Sequence, residues 1–426
     1  MRRLIALIAV AACHKDTAPP PIVKAADAAA PLDAPTPPPD APEAARPTAT
    51  KLVAAGDSTC ALMSDTTVRC WGNNDHGQLG DGTTNDSSRP LRPAIRSVKD
   101  LIVADGTACA LLDDRSVSCW GQIDWQGSGQ DVLRPTGVMS VTGVKQLFVF
   151  PRRACARVAS DDLVCWGEID ARGRFAKVPG KRRVTVVDGM EHVRELSPTA
   201  AVRDDGSVWS WAGEGRPTRR GLDDVKQLGE REGAICGLLG SGDVACVASS
   251  LPCVPAPAPV APTPVPKPTK KASRPPRGKR PTALKRAPAP PIAETKPVEP
   301  SVTLTLPKAR SLVFDAGWCV VTSGGVVQCG DGCSKPDAPW RRLDKIEEVV
   351  AHCARSKGGS VTCWDPAKPR PAPIEGITGA TALAVGRIHG CAIVAGGGIT
   401  CWGDNTHGQL GRGDRAAHRD AAAVTP

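Results

Sequence analysis

The chain reads as an all-β protein, a β-propeller of seven or eight blades built from about eight repeats. Three observations predict this. A phrase of the form Cys-x9-Cys, usually followed by Trp and Gly, returns at Cys60/Cys70, Cys109/Cys119, Cys155/Cys165, Cys236/Cys246, Cys319/Cys329, Cys353/Cys363 and Cys391/Cys401. Between the two cysteines the text runs apolar, then small and polar, then apolar again, which is strand, turn, strand. No long apolar stripe at helical spacing breaks the series, so a helical solenoid is excluded. Units of roughly 35–50 residues made only of short strands and turns stack radially, which protects their sheet edges.

The units begin near Lys51, Val98, Val144, Val193, Val225, Arg310, Ile346 and Ala380, each with an apolar entry strand. The cysteine hairpin follows. Folding about its midpoint sets Cys60 opposite Cys70 and leaves Ser64-Asp65-Thr66 as a three-residue loop. Such a loop favours a left-handed residue, typically Gly, in its third position. Gly206, Gly242, Gly325, Gly359 and Gly397 stand there, while Thr66, Arg115 and Asp161 depart from the preference.

The fourth unit exposes the logic of the cysteines. Its text from Ala200 to Trp211 matches Cys109 to Trp120, with Ala200 and Ser210 in place of the two cysteines. Both are lost together, as expected of a disulfide that has no purpose with one half missing. Seven disulfides within hairpins are therefore predicted. Nine residues intervene in each pair, whereas zinc sites favour two to four, so the metal reading is set aside. Cys253 and Cys333 flank a central insert, and an eighth bridge between them is expected. The competing readings are two free thiols, or a rearranged pairing within Cys329–Cys333.

Residues 1–12 have two arginines and then a short apolar stretch, the form of a signal peptide too short to span a membrane. The run Val10-Ala-Ala-Cys13 resembles a bacterial lipobox, which implies lipidation at Cys13; an ordinary secretory cleavage is the alternative. Either reading exports the chain, which agrees with persistent disulfides. Residues 13–50 are Ala/Pro-rich and are expected to form a disordered tether. The expected location is the cell envelope, lipid-anchored at the outer membrane and facing either side, since His14 is not a decisive sorting signal; the alternative is secretion. Repeats one to five then occupy 51–250, a basic Pro-rich insert 251–309, and repeats six to eight 310–426.

The net charge is +10. Between Pro255 and Pro300 ten basic residues, from Lys267 to Lys296, face only Glu294 and Glu299, a surplus of eight. The repeats are thus near neutral, and a nucleic-acid face on them is not indicated. The insert is read either as a solvated loop or as a contact for lipid headgroups, lipopolysaccharide phosphate or an acidic wall polymer.

The segments Cys70-WGNNDHGQLGDGTTNDSSRPLRP and Cys401-WGDNTHGQLGRGDRAAHRD resemble the repeat of the regulator of chromosome condensation family, with its Gly-x-x-x-x-Gly-Gln-Leu-Gly signature at Gly72–Gly80 and Gly403–Gly411. The other six units keep the hairpin and erode this loop. The resemblance spans roughly residues 51–250 and 310–426 and implies a propeller, usually of seven blades. Eight hairpins are counted here, so either the ring has eight blades or one eroded unit, the fourth or fifth, is not a full blade. Paired cysteines depart from the nuclear members and resemble exported bacterial relatives. In the signature, Gly72, Gly77 and Gly80 are expected at positive φ and Leu79 in the core.

Trp71, Trp120, Trp166, Trp211, Trp364 and Trp402 follow the second cysteine position and are expected on the opposite sheet face from it. Packing between blades is one reading of them; a ring of tryptophans lining a sugar site is the other. No nucleophile with its base is evident. His76 and His407 occupy one repeat position, so they read as loop-structuring groups rather than as a unique active site. Asp113-Asp114 and Asp204-Asp205 lie at hairpin tips, where Asp suits turns, with calcium the alternative.

No cofactor, metal or catalytic residue is therefore expected. The function anticipated is a monomeric, membrane-anchored propeller that binds or scaffolds an envelope or extracellular protein, or a polysaccharide, without nucleic acid. The alternatives are an exported propeller enzyme acting on polysaccharide, or an inhibitor of a secreted enzyme. Relatives are known to exchange nucleotide on a small GTPase or to inhibit beta-lactamase, and neither activity maps onto particular residues here.

Overall fold

The computed structural model describes residues 46–124, 128–168, 184–211, 217–231, 234–248, 302–304, 308–314, 318–330, 343–364 and 371–424. Residues 47–426 form one compact unit, and every described element in it is a strand. The strands group into eight antiparallel sheets, each made of consecutive strands in simple up-and-down order. The ring has eight blades.

The first blade contains β1 (Ala49–Ala55), β2 (Ser58–Met63), β3 (Val68–Gly72) and β4 (Ser87–Leu91). The second has β5 (Val98–Ala104), β6 (Thr107–Leu112), β7 (Val117–Gly121) and β8 (Val132–Gly137); the third has β9 (Gln146–Phe150), β10 (Arg153–Arg157), β11 (Asp162–Gly167) and β12 (Thr185–Glu191). The fourth contains β13 (Val193–Leu196), β14 (Ala200–Arg203), β15 (Val208–Ser210) and β16 (Thr218–Arg219). β17 (Val225–Arg231), β18 (Ala234–Leu239), β19 (Val244–Ala248) and β20 (Val302–Leu304) make the fifth. β21 (Ala309–Phe314), β22 (Trp318–Thr322) and β23 (Val327–Gly330) make the sixth, extended by a bridge from Val327 to Leu343. β24 (Ile346–Val350), β25 (Cys353–Ser356), β26 (Val361–Cys363) and β27 (Ala372–Pro373) make the seventh, and β28 (Ala380–Val385), β29 (His389–Val394), β30 (Ile399–Gly403) and β31 (His418–Ala423) the eighth.

The fourth and fifth units are both four-stranded, so the seven-bladed option falls. Two expected boundaries also move. The tether to residue 50 gives way to β1 at Ala49. The insert taken as 251–309 contains β20, which pairs with β19 at Cys246↔Val302, and β21 starts at Ala309. The insert thus interrupts the fifth blade before its outer strand instead of separating two units. The hairpin phrase marks only the inner three strands of a unit, and outer strands carry no comparable signal.

Each hairpin turns as its spacing requires. Cys60 pairs directly with Cys70, and the same register recurs in every disulfide-bearing blade. The third loop residue is left-handed in all eight units, including Thr66 (φ 61), Arg115 (φ 64) and Asp161 (φ 68). This turn has a second task. The carbonyl of that residue accepts a backbone hydrogen bond from the start of the next blade: Thr66 from Val98, Arg115 from Val144, Gly206 from Val225, Gly242 from Ala309, Gly325 from Ile346 and Gly359 from Ala380. Ala49 N–H donates to Gly397 at 2.9 Å and closes the circle.

The core lies between blades rather than within them. Among the described residues it falls into eight clusters, each shared by two consecutive blades, with the last joining the eighth blade to the first. Each disulfide faces forward to the next blade, and the tryptophan after it faces back. Trp120 shares a cluster with Cys60 and Cys70, Trp166 with Cys109 and Cys119, Trp364 with Cys319 and Cys329, and Trp71 with Cys391 and Cys401. Side chains alternate across a strand, so adjacent Cys and Trp must serve opposite seams. Near the axis, glutamines add a polar lacing between blades. Gln146 Nε2 donates to Arg194 O at 2.8 Å, and Gln227 both donates to and accepts from the backbone of Leu312.

Candidate binding face

The two faces of the ring differ in kind. One carries the three-residue hairpin loops between the second and third strands, all of one length. The opposite face carries the turns between first and second strands and the long connections from third to outer strand. Gly72 pairs with Ser58, and Asn73 N–H donates to Asp57 O, which places both sets of turns at that end. The largest differences in length among the repeats fall in the connections from third to outer strand, while the connections from an outer strand to the next blade, on the hairpin-tip side, differ by fewer residues. Residues 249–301, which contain the basic run, leave after β19 and return at β20 on this same face.

The two signature loops serve as clamps. In each, an asparagine plugs the centre: Asn74 and Asn405 are completely buried. Asn74 Nδ2 donates to Asp81 Oδ1, Thr83 O and Asn85 O, and its Oδ1 accepts from Leu79 N–H at 2.9 Å. The acidic Asp81–Asp86 loop is thereby closed around an amide. Asn405 repeats the pattern with Asp414 and Leu410. Gln78 and Gln409 each accept from the histidine backbone two residues earlier, at 2.9 and 2.8 Å.

The clamp then grips the following blade. His76 Nδ1 lies 2.8 Å from Asp131 of the second blade, and His407 Nδ1 lies 2.8 Å from Asp86 of the first. Gly82 N–H donates to Leu133 O, and Gly413 N–H to Ser88 O. At Gly77 (φ 74) a Cβ would sit 2.9 Å from Leu133 Cα, and at Gly408 (φ 80) 2.5 Å from Ser88 Cα. Close approach of the neighbouring strand is what demands glycine there. The loop also supplies the acceptor for the next tryptophan: Trp71 Nε1 donates to Gln409 O and Trp120 Nε1 to Gln78 O, both at 2.8 Å.

The expected residues can now be placed. Gly72, Gly77 and Gly80 have positive φ, and Leu79 is fully buried in the seam between blades one and two. Trp71, Trp120 and Trp166 are wholly buried, Trp364 and Trp402 nearly so, and Trp211 is packed at the third seam. They separate blades, and the sugar-lining alternative is overturned for them. Asp114 and Asp205 accept from Ser116 and Ser207 N–H two residues on, the expected turn role. The hairpin disulfides Cys60–Cys70, Cys109–Cys119, Cys155–Cys165, Cys236–Cys246, Cys319–Cys329, Cys353–Cys363 and Cys391–Cys401 are all formed. Cys13, His14, and the pairing of Cys253 with Cys333 lie outside the described residues.

Several of the described carboxylates of the loop face are engaged with neighbours. Asp57 is paired with Arg387, and Glu168 with Arg152 at 2.6 Å. Glu230 accepts from Ser197 Oγ, Thr199 N–H and Thr199 Oγ1. Asp404 accepts from Thr406 and from Gln409 Nε2, and these bonds hold its carboxyl below the usual range despite burial. Among the described residues no cluster of three or more metal-ligating side chains occurs, and no helix is long and apolar enough to cross a membrane.

The model of the regulator of chromosome condensation (RCC1) repeat matches residues 50–78 and 380–409, the first and last blades. Those two blades are similar to the RCC1 repeat. Both segments run into the clamp loops and end at their glutamines, Gln78 and Gln409. Yeast RCC1 (Prp20), solved bound to Kap60, is similar in structure at 15% identity, covering 88% of this chain and 74% of that one with a TM-score of 0.39. Human WBSCR16 is similar at 14% identity, covering 84% and 94%, with a TM-score of 0.48. The CRINKLY ectodomain of the Arabidopsis thaliana receptor kinase ACR4 gives 14%, 89%, 100% and 0.40 respectively. A comparison with curated proteins returns no match.

The sequence reading missed Asn74, Asn405 and the glutamine lacing. The asparagines were legible in principle, because Asn recurs two residues before each signature histidine. The lacing was not, since its acceptors are backbone atoms of another blade.

Proposed function

We propose that this chain is an exported, lipid-anchored RCC1-repeat propeller that binds a protein or polysaccharide at the cell envelope without performing catalysis. One observation carries the reading: the longest and most variable connections, those from third to outer strand, issue on one face, and the connection that holds the basic insert is among them. Rigid scaffolds place recognition on such loops. The pairing of Asp57, Glu168, Glu230 and Asp404 with neighbouring groups supports a binding role for that part of the face over hydrolysis, which needs two acids free to face a glycosidic bond. The lipobox-like Val10–Cys13 run supports anchoring, and the hairpin disulfides fit an oxidising compartment.

Site-specific photo-crosslinking in intact envelope tests the face. A crosslinker at Asp75 or Arg152 should give adducts, and one at Asp114 or Ser241 on the hairpin tips should give none. Adducts confined to the hairpin tips would reverse the assignment. Replacement of Cys13 by Ser should abolish fatty-acid labelling and release the chain from the membrane fraction.

A further inference from the structure

The fourth blade stands apart from the other seven in two independent respects. Its strands are the shortest set in the ring, with β13, β14, β15 and β16 spanning 4, 4, 3 and 2 residues. It also lacks the hairpin disulfide, since Ala200 and Ser210 pair in the register that Cys109 and Cys119 occupy elsewhere. The blade after it has lost the matching wedge. Val247 holds the tryptophan position there, and the fourth seam is aliphatic, built from Ala200, Val202, Leu222 and Val247 among others. The polar ties between the two blades run from their first strands: Arg194 donates to the carbonyls of Lys226 and Val225, Glu230 accepts from Ser197 and Thr199, and Val225 N–H donates to Gly206 O.

We infer that the fourth blade is a built-in releasable sector, opening by local unfolding while the seven cross-linked blades stay folded. Proteins open in contiguous units whose cost follows their buried contacts and restraints. A disulfide closing a loop of this size raises that cost by a factor of roughly 30 to 150, taking the chain-entropy value at room temperature. The seventh blade is the internal control. Its strands are almost as short, at 5, 4, 3 and 2 residues, and it keeps Cys353–Cys363. The releasable sector adjoins the fifth blade, from which the basic insert issues, so opening would free the insert-bearing side of the ring.

Hydrogen exchange followed by mass spectrometry on the full exported chain tests this. The hairpin amides of β14 and β15 should exchange at least about 30-fold faster than those of β25 and β26. The double variant A200C/S210C, with its bond verified by mass, should bring the fourth blade to the seventh blade's rate. Equal protection in the two wild-type blades would overturn the inference, as would unchanged exchange in the cross-linked variant. If that variant does not fold, the wild-type comparison decides alone.

Discussion

His389 is almost wholly out of water between the eighth blade and the first, where its Nε2 shares a 2.8 Å hydrogen bond with Thr59 Oγ1. Its Nδ1 has no partner, and burial pushes the imidazole pKa down to about 4, against a minor opposing pull from Asp404. The unfolded chain takes up a proton at this residue below its ordinary value of about 6.5, and the folded chain does not. Its contribution is therefore present above that value and is lost as pH falls towards 4, by about 3 kcal/mol in all. Ser58 fills the same repeat position in the first blade, so His389→Ser is a natural test. Denaturant titrations at pH 7 and pH 4 should show wild type losing about 3 kcal/mol more than the variant; parallel losses would contradict the account. The tryptophans make a second contrast. Trp120 donates to Gln78 O, whereas Trp166, which follows the eroded loop of blade two, has a buried Nε1 without an acceptor. Removing a satisfied donor leaves a carbonyl stranded, so Trp120→Phe should cost about 1–2 kcal/mol more than Trp166→Phe in thermal or denaturant unfolding.

The hairpin is the element the chain repeats, and its chemistry predicts what damage does. Cys109→Ala with Cys119→Ser copies the fourth unit and should lower stability by about 2–3 kcal/mol, while leaving crosslinking at Asp75 intact. The signature loop should fail differently. Gly77→Ala puts a Cβ against Leu133 Cα at a left-handed backbone, so it should destabilise the first seam by more than about 1 kcal/mol. Thr66→Gly should stabilise, because a β-branched residue occupies a left-handed turn there without need. Much of this element was legible beforehand. The spacing of Cys60 and Cys70 set the register, and Gly206 or Gly397 marked the turn. Thr66, Arg115 and Asp161 adopt the same turn because the next blade draws hydrogen bonds from it, a tertiary demand that overrides residue preference. The outer strand β20 was hidden, since a short strand after a long Pro-rich run has no periodicity to announce it.

At the scale of the molecule, each blade is made from consecutive strands, so no strand exchange locks the ring. Closure rests on seam contacts. Between the eighth blade and the first these include Ala49 with Gly397, Arg387 with Asp57, Trp71 with Gln409, and His407 with Asp86. The clamp of the eighth blade grips the first and ties the closing seam, and the clamp of the first grips the second. The blade count could be read from the hairpins only up to the doubt over the fourth unit, whose cysteines are absent and whose strands are short. The most direct measurement is a peptide map of the full chain purified without reductant. The account predicts that every linkage among the fourteen hairpin cysteines joins partners ten residues apart, with none between units; reduced thiols at those positions, or bridges that join different units, would contradict it.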